Sequence, residues 1–142
     1  MFVDTKLIEK RFTEYNQKYF NNKLGKCRFS FYYTDVFGSY VYNKKIKNKP
    51  KSSITISKSV NWTEEAFKEV LIHEMIHMKI RTVYHIPHDG VLGHGIFFFF
   101  ECLRIRMKYG IKIKKHPFHL LHLKKGLKPK MWEKVLLFII DW

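Results

Sequence analysis

The 142-residue sequence is poor in cysteine: Cys27 and Cys102 are the only two, and they form no C-x-x-C pair. That excludes a disulfide framework and a cysteine-built zinc ribbon within the chain. Long apolar runs are missing too. Ile96 to Cys102 and Val135 to Ile140 fall well short of the ~18 residues of a membrane span and are flanked by charge. The N-terminus carries Asp4 and no apolar signal-peptide core, so the expected location is cytoplasmic, with no membrane partner. No internal repeat and no linker-like stretch divides the chain. The length suits one domain, 1–142.

Acidic residues are the other shortage. Twelve Asp and Glu stand against 27 Lys and Arg, a formal charge of +15. Such a field concentrates polyanions, nucleic acid first and acidic membrane or protein surfaces second. Lysine greatly outnumbers arginine, which suits attraction to a phosphate backbone more than reading of bases. What is abundant points to a packed core: 46% of residues are hydrophobic and 17% aromatic.

The centre of the sequence is His73-Glu74-Met75-Ile76-His77, inside a run from Asn61 to Lys79 that reads as one helix. Residues four apart share a helical face, so His73 and His77 can offer their rings to one point. Glu74 is close enough to that point to take a proton from a metal-activated water, the mechanical reason for the H-E-x-x-H pattern of metallopeptidases. Asn61 is the expected N-cap, with Glu64 completing a capping box and Glu64 and Glu65 at the positive end of the helix dipole. Ala66, Phe67, Val70, Leu71, Met75 and Met78 supply apolar faces.

The rest of the chain builds a frame around this helix. Residues 5 to 20 read as a first helix through Ile8, Phe12, Tyr15 and Tyr19. Cys27 to Tyr33, Ser39 to Tyr42 and Ser53 to Ser57 alternate as short strands, with Gly38 in the first turn and 48–51 in the next loop. The expected class is α+β, a small antiparallel sheet packed on helices. Ile80 to Gly93 has no period and reads as loop. Ile96 to Met107 reads as a helix stopped at Gly110, with Phe99, Phe100, Leu103 and Met107 as its core face. Ile111 to Lys115 alternates like an edge strand. After a basic loop at Lys124, Lys125, Lys128 and Lys130, Lys130 to Ile140 reads as a last helix docked through Trp132, Val135, Leu136 and Ile139.

A catalytic zinc takes three protein ligands and keeps one open position. The third candidate is His85, His88, His94 or Glu101. His94 stands where the loop meets the next helix, and packed structure holds a ligand better than loop does. Gly95 beside it permits close backbone approach.

Several segments together resemble the SprT-like metallopeptidases, the family of the bacterial SprT proteins and the protease domain of the DNA–protein crosslink protease Spartan. Tyr15-Asn16-Gln17-Lys18-Tyr19-Phe20 with Leu24 is similar to the family's first helix and turn. Ile54-Thr55-Ile56-Ser57 is similar to its strand before the metal helix, and Val70 to His77 to that helix itself. His94-Gly95-Ile96-Phe97-Phe98 stands where the family has His-Gly and, two residues beyond, an aromatic.

The resemblance covers about residues 5 to 108 and implies a zincin-like minimal metalloprotease core. It implies Zn2+ held by His73, His77 and His94, with Glu74 as general base. The basic extension of about 109–142 has no cysteine, where many bacterial relatives carry a zinc ribbon. With the charge, the resemblance implies an endopeptidase acting on DNA-associated or DNA-crosslinked proteins, with single-stranded DNA as the favoured nucleic-acid partner. Two other classes fit the residues: a nucleic-acid-binding module with a structural zinc site, and a general cytoplasmic zinc peptidase not coupled to DNA. Oligomeric state is not legible.

Overall fold

The computed structural model describes residues 1–114 and 122–123. The expected helix over Lys130 to Ile140 and the basic loop before it lie outside the described residues.

The first helix, α1 (Thr5–Phe20), starts at an N-cap: the Asp4 carboxylate accepts from the Leu7 N–H at 2.8 Å. Ile8, Phe12, Tyr15 and Tyr19 form its buried face, as their spacing predicts. It ends at Asn21 in the left-handed region (φ 51°). The buried Asn16 amide then bonds both the carbonyl and the N–H of Leu24, at 2.9 and 3.1 Å, and locks the turn.

Three strands follow: β1 (Cys27–Tyr32), β2 (Gly38–Tyr42) and β3 (Ser52–Ser57). Their order in the sheet is β1-β3-β2. β2 and β3 are antiparallel neighbours, Gly38 opposite Ile56 and Tyr42 opposite Ser52. β1 and β3 run parallel, Cys27 opposite Ser52 through Tyr32 opposite Ser57. The sheet is therefore mixed, not antiparallel throughout as expected. Alternation tells which face of a strand is apolar but not which strand lies beside it. Here the strand with fully buried Ile54 and Ile56 takes the centre and separates the other two. Gly38 opens β2 rather than forming the turn before it.

A two-residue strand, β4 (Val60–Asn61), leads into the long helix α2 (Glu64–Thr82). Its cap is Thr63, whose hydroxyl accepts from the Ala66 N–H at 3.2 Å, so Asn61 and the capping box are not used. Asn61 is instead paired with His122 of β5 (His122–Leu123). α2 runs one turn beyond Lys79. It is the core of the molecule, with Phe67, Leu71, Ile72, Met75 and Ile76 fully buried and the sheet, α1 and α3 packed around it.

After a loop and a turn of 3-10 helix (Val91–Gly93), α3 (Ile96–Tyr109) ends at Gly110 in the left-handed region (φ 70°), as predicted. Its inner face is Phe98, Glu101 and Ile105, not the expected one. Phe99, Phe100, Leu103 and Met107 are 55, 55, 38 and 79% exposed. Four consecutive phenylalanines carry no period, so the phase of this helix is set by its partners. Ile111 to Lys114 forms no strand; the Lys114 N–H and carbonyl meet side chains of α2 instead. No helix among the described residues is long and apolar enough to cross a membrane.

Candidate active site

Two site histidines are on the rigid part of α2 and one comes from outside it. His73 is buried, while His77 and His94 are half-buried. The structure brings their Nε2 atoms together: His73 to His94 is 3.0 Å, and His77 is 3.2 Å from each. Tetrahedral zinc with Zn–N bonds of 2.0–2.1 Å sets its ligand nitrogens about 3.3 Å apart. The three imidazoles thus fit a metal ion with adjustments of a few tenths of an ångström.

The tautomer of His73 agrees with that use. Its Nδ1 is 2.9 Å from the Lys114 carbonyl, which can only accept. Nδ1 therefore holds the proton, and the Nε2 lone pair faces the centre. Burial, and then the neighbouring His94, push His77 down to about 3, so this ring stays neutral as a ligand must. The floor is the fully buried Phe98, whose ring centre lies 4.7 to 4.9 Å from all three histidine rings.

Glu74 is buried beside this centre, and burial raises its carboxyl to about 8. The start of β2 presses on it. A Cβ at Gly38 would stand 2.8 Å from Val70 Cγ1 and 3.1 Å from Glu74 Cγ and Oε1. Glycine lets the strand close over the carboxylate.

His94 is held by a device that has no counterpart in α2. The N-cap of α3, Gly95, has no side chain to close the helix. The buried Asp89 does so from across the loop, accepting from the Phe98 N–H at 2.8 Å and the Phe97 N–H at 3.3 Å. Asp89-Gly90 lies so close to Gly95 that a Cβ there would be 2.7 Å from the Asp89 carbonyl carbon and 2.8 Å from the Gly90 nitrogen. Gly93, at φ 75°, passes over His77; a Cβ on it would be 3.1 Å from the ring.

The other third-ligand candidates are placed elsewhere. His85 and His88 are exposed in the loop. Glu101 faces away into a buried cluster: Lys79 Nζ bonds both its oxygens at 2.9 and 3.0 Å, Arg104 Nε one at 3.0 Å, and the Tyr84 hydroxyl the other. Burial pushes the Glu101 carboxyl up, but these three donors outweigh it and hold the group below the usual range. The cluster ties α3 to α2, with Arg104 reaching on to the Tyr19 carbonyl of α1.

Asp89, Gly93, Glu69 and Lys114 escape a reading by motif. Only the Asp-Gly pair at 89–90 carries a local signal, that of a turn.

A helix carrying His73, Glu74 and His77, closed by a third imidazole at the head of the next helix, defines a metallopeptidase. A sequence model of the SprT-like family matches residues 8–116, and the chain belongs to that family. No curated protein matches it. Among solved structures it is similar to the metallopeptidase zymogen of Methanocaldococcus jannaschii jannalysin, at 19% identity over 94% of each chain and with a TM-score of 0.48.

Proposed function

We propose that the chain is a single-domain zinc-dependent endopeptidase whose metal ligands are His73, His77 and His94 and whose general base is Glu74. The observation that carries this is the convergence of three Nε2 atoms within 3.2 Å of one another beside a buried carboxylate. Zinc supplies Lewis acidity there, making water a nucleophile near neutral pH and polarising a scissile carbonyl. The protein does the rest. Glu74 accepts the proton of the attacking water and returns it to the departing amine nitrogen. Burial raises this carboxyl in the metal-free site; a bound cation would favour its ionised form, the form that accepts the proton. Gly38 lets β2 close over the carboxylate, and Phe98 backs the three rings. The Tyr84 hydroxyl is committed to Glu101, which leaves it outside the transfer.

The proposed substrates are proteins on or crosslinked to DNA. The charge of +15 supports this, as do the exposed Lys44, Lys45, Lys47, Lys49 and Lys51 in the loop that follows β2, the strand closing over Glu74. Lysines clustered without arginine favour backbone attraction and hence tolerance of sequence, and single-stranded DNA is the favoured form. The test is cleavage of a DNA-binding protein by the zinc-loaded enzyme, with and without single-stranded DNA, in rising salt. Cleavage stimulated by DNA and lost steeply with salt is expected. Equal cleavage without DNA would leave the peptidase and remove its coupling to nucleic acid.

A further inference from the structure

Residues 111–114, after α3, form no strand or helix, yet they run along α2 at His73. Ile113 is buried and pins it. The next residue bridges two side chains one helical turn apart. The Lys114 N–H donates to Glu69 Oε1 at 3.1 Å, and the Lys114 carbonyl accepts from His73 Nδ1 at 2.9 Å. Glu69 and His73 are both buried, 6% exposed each. A carboxylate four residues before a histidine ordinarily meets that residue's side chain directly. Here the backbone of one residue, Lys114, is inserted between them, its N–H toward Glu69 and its carbonyl toward His73.

We propose that Glu69 is a positioning residue for the metal site, acting through the backbone of Lys114. The reading rests on His73 being a ligand. A buried carboxylate needs donors, and the Lys114 N–H is one that Glu69 has found. Binding it ties the backbone of residue 114 to α2, on the other side of the same Cα from the carbonyl that faces His73, and so limits where that carbonyl can turn. That carbonyl selects the His73 tautomer with the proton on Nδ1 and sets the ring angle, so that Nε2 points to His77 and His94. Residues 111–114 thereby become part of the metal centre without being among its proposed ligands.

The test uses the full chain and three variants: Glu69→Ala, Glu69→Gln and, as a control, Ile8→Val on the buried face of α1. Zinc affinity is read by competition with a chelator, the melting temperature on the metal-free protein, and the His73 Nδ1–H proton by NMR on the zinc-loaded protein. Glu69→Ala is expected to weaken zinc binding by about 10- to 100-fold, the range for groups that orient a ligand. It should also broaden the Nδ1–H signal by solvent exchange. Glu69→Gln keeps an acceptor oxygen for the Lys114 N–H and should recover most of the affinity and the sharp signal. Ile8→Val should lower the metal-free melting temperature and leave zinc affinity unchanged. Wild-type affinity in Glu69→Ala, or equal weakening in Ile8→Val, overturns the proposal. Absence of zinc binding by the wild-type chain removes the ligand reading beneath it, and the wild-type measurement alone reveals that.

Discussion

The two histidines on α2 and the one that closes the site are held by opposite means. His73 and His77 stand on a capped helix of 19 residues whose flanks are apolar on almost every side. Their spacing is a property of the helix, and any sequence that forms this helix places them. His94 follows a loop in which His85, Gly90, Leu92 and Gly93 all adopt positive φ. Its position is assembled from a carboxylate at Asp89, two touching glycines and the Glu101 cluster that fastens α3. The proposed ligand pair is fixed by local structure and the proposed third ligand by tertiary contacts.

Removing the tertiary ligand should have the largest effect. His94→Ala is expected to cut zinc affinity by more than the ~100-fold upper range for orienting groups, and zinc should no longer raise the melting temperature. Chelator competition and thermal melts with and without zinc measure both. Breaking the fastening is next. Glu101→Ala leaves Lys79 buried without its carboxylate and should cost roughly 3–5 kcal/mol in denaturant unfolding. The exposed Arg11–Glu14 pair on α1, cut by Glu14→Ala, should cost no more than about 0.5 kcal/mol in the same assay. Asp89→Ala removes the cap of α3 and should cost about 0.5–2 kcal/mol. Its zinc affinity should fall, while the matching loss of the α2 cap in Thr63→Ala should spare the metal. Equal effects of the two cap variants on zinc would erase the contrast between the ligand pair and His94.

The smallest expected effect concerns the metal-free protein and pH. His77 is depressed to about 3 by burial and His94, so between about 3 and its ordinary 6.5 the unfolded chain binds the extra proton. Stability from this group is present above 6.5 and is lost as pH falls toward 3. Glu74 is raised from 4.5 to about 8 by burial, so in that interval the folded protein binds the extra proton. Its contribution is present below 4.5 and is lost as pH rises toward 8. Melting of the metal-free Glu74→Gln variant across this range should show a shallower alkaline decline than the wild type. An unchanged decline would contradict the assignment of that limb to Glu74.

The contrast also explains what could be read from the sequence. The face of α1, the existence of α2 and the stop of α3 at Gly110 follow from spacing and local caps, and they were legible. The H-E-x-x-H geometry was legible for the same reason. The mixed sheet was not, because parallel pairing of β1 with β3 depends on which strand becomes the most buried and takes the centre. The face of α3 was hidden by Phe97 to Phe100, where every residue is equally apolar. The cap Thr63 was masked by the equally plausible Asn61, which pairs with His122 instead. Asp89 and Glu69 act across 8 and 45 residues, on an α3 N–H and on the Lys114 N–H. No short-range rule reaches them.

The most direct measurement is paired zinc content and peptide-bond cleavage for the wild-type chain and Glu74→Gln. The account predicts one zinc in each, with turnover in the wild type and a loss of at least about 100-fold in the variant. Retained hydrolysis in Glu74→Gln, or a wild-type chain that binds no zinc, would contradict it.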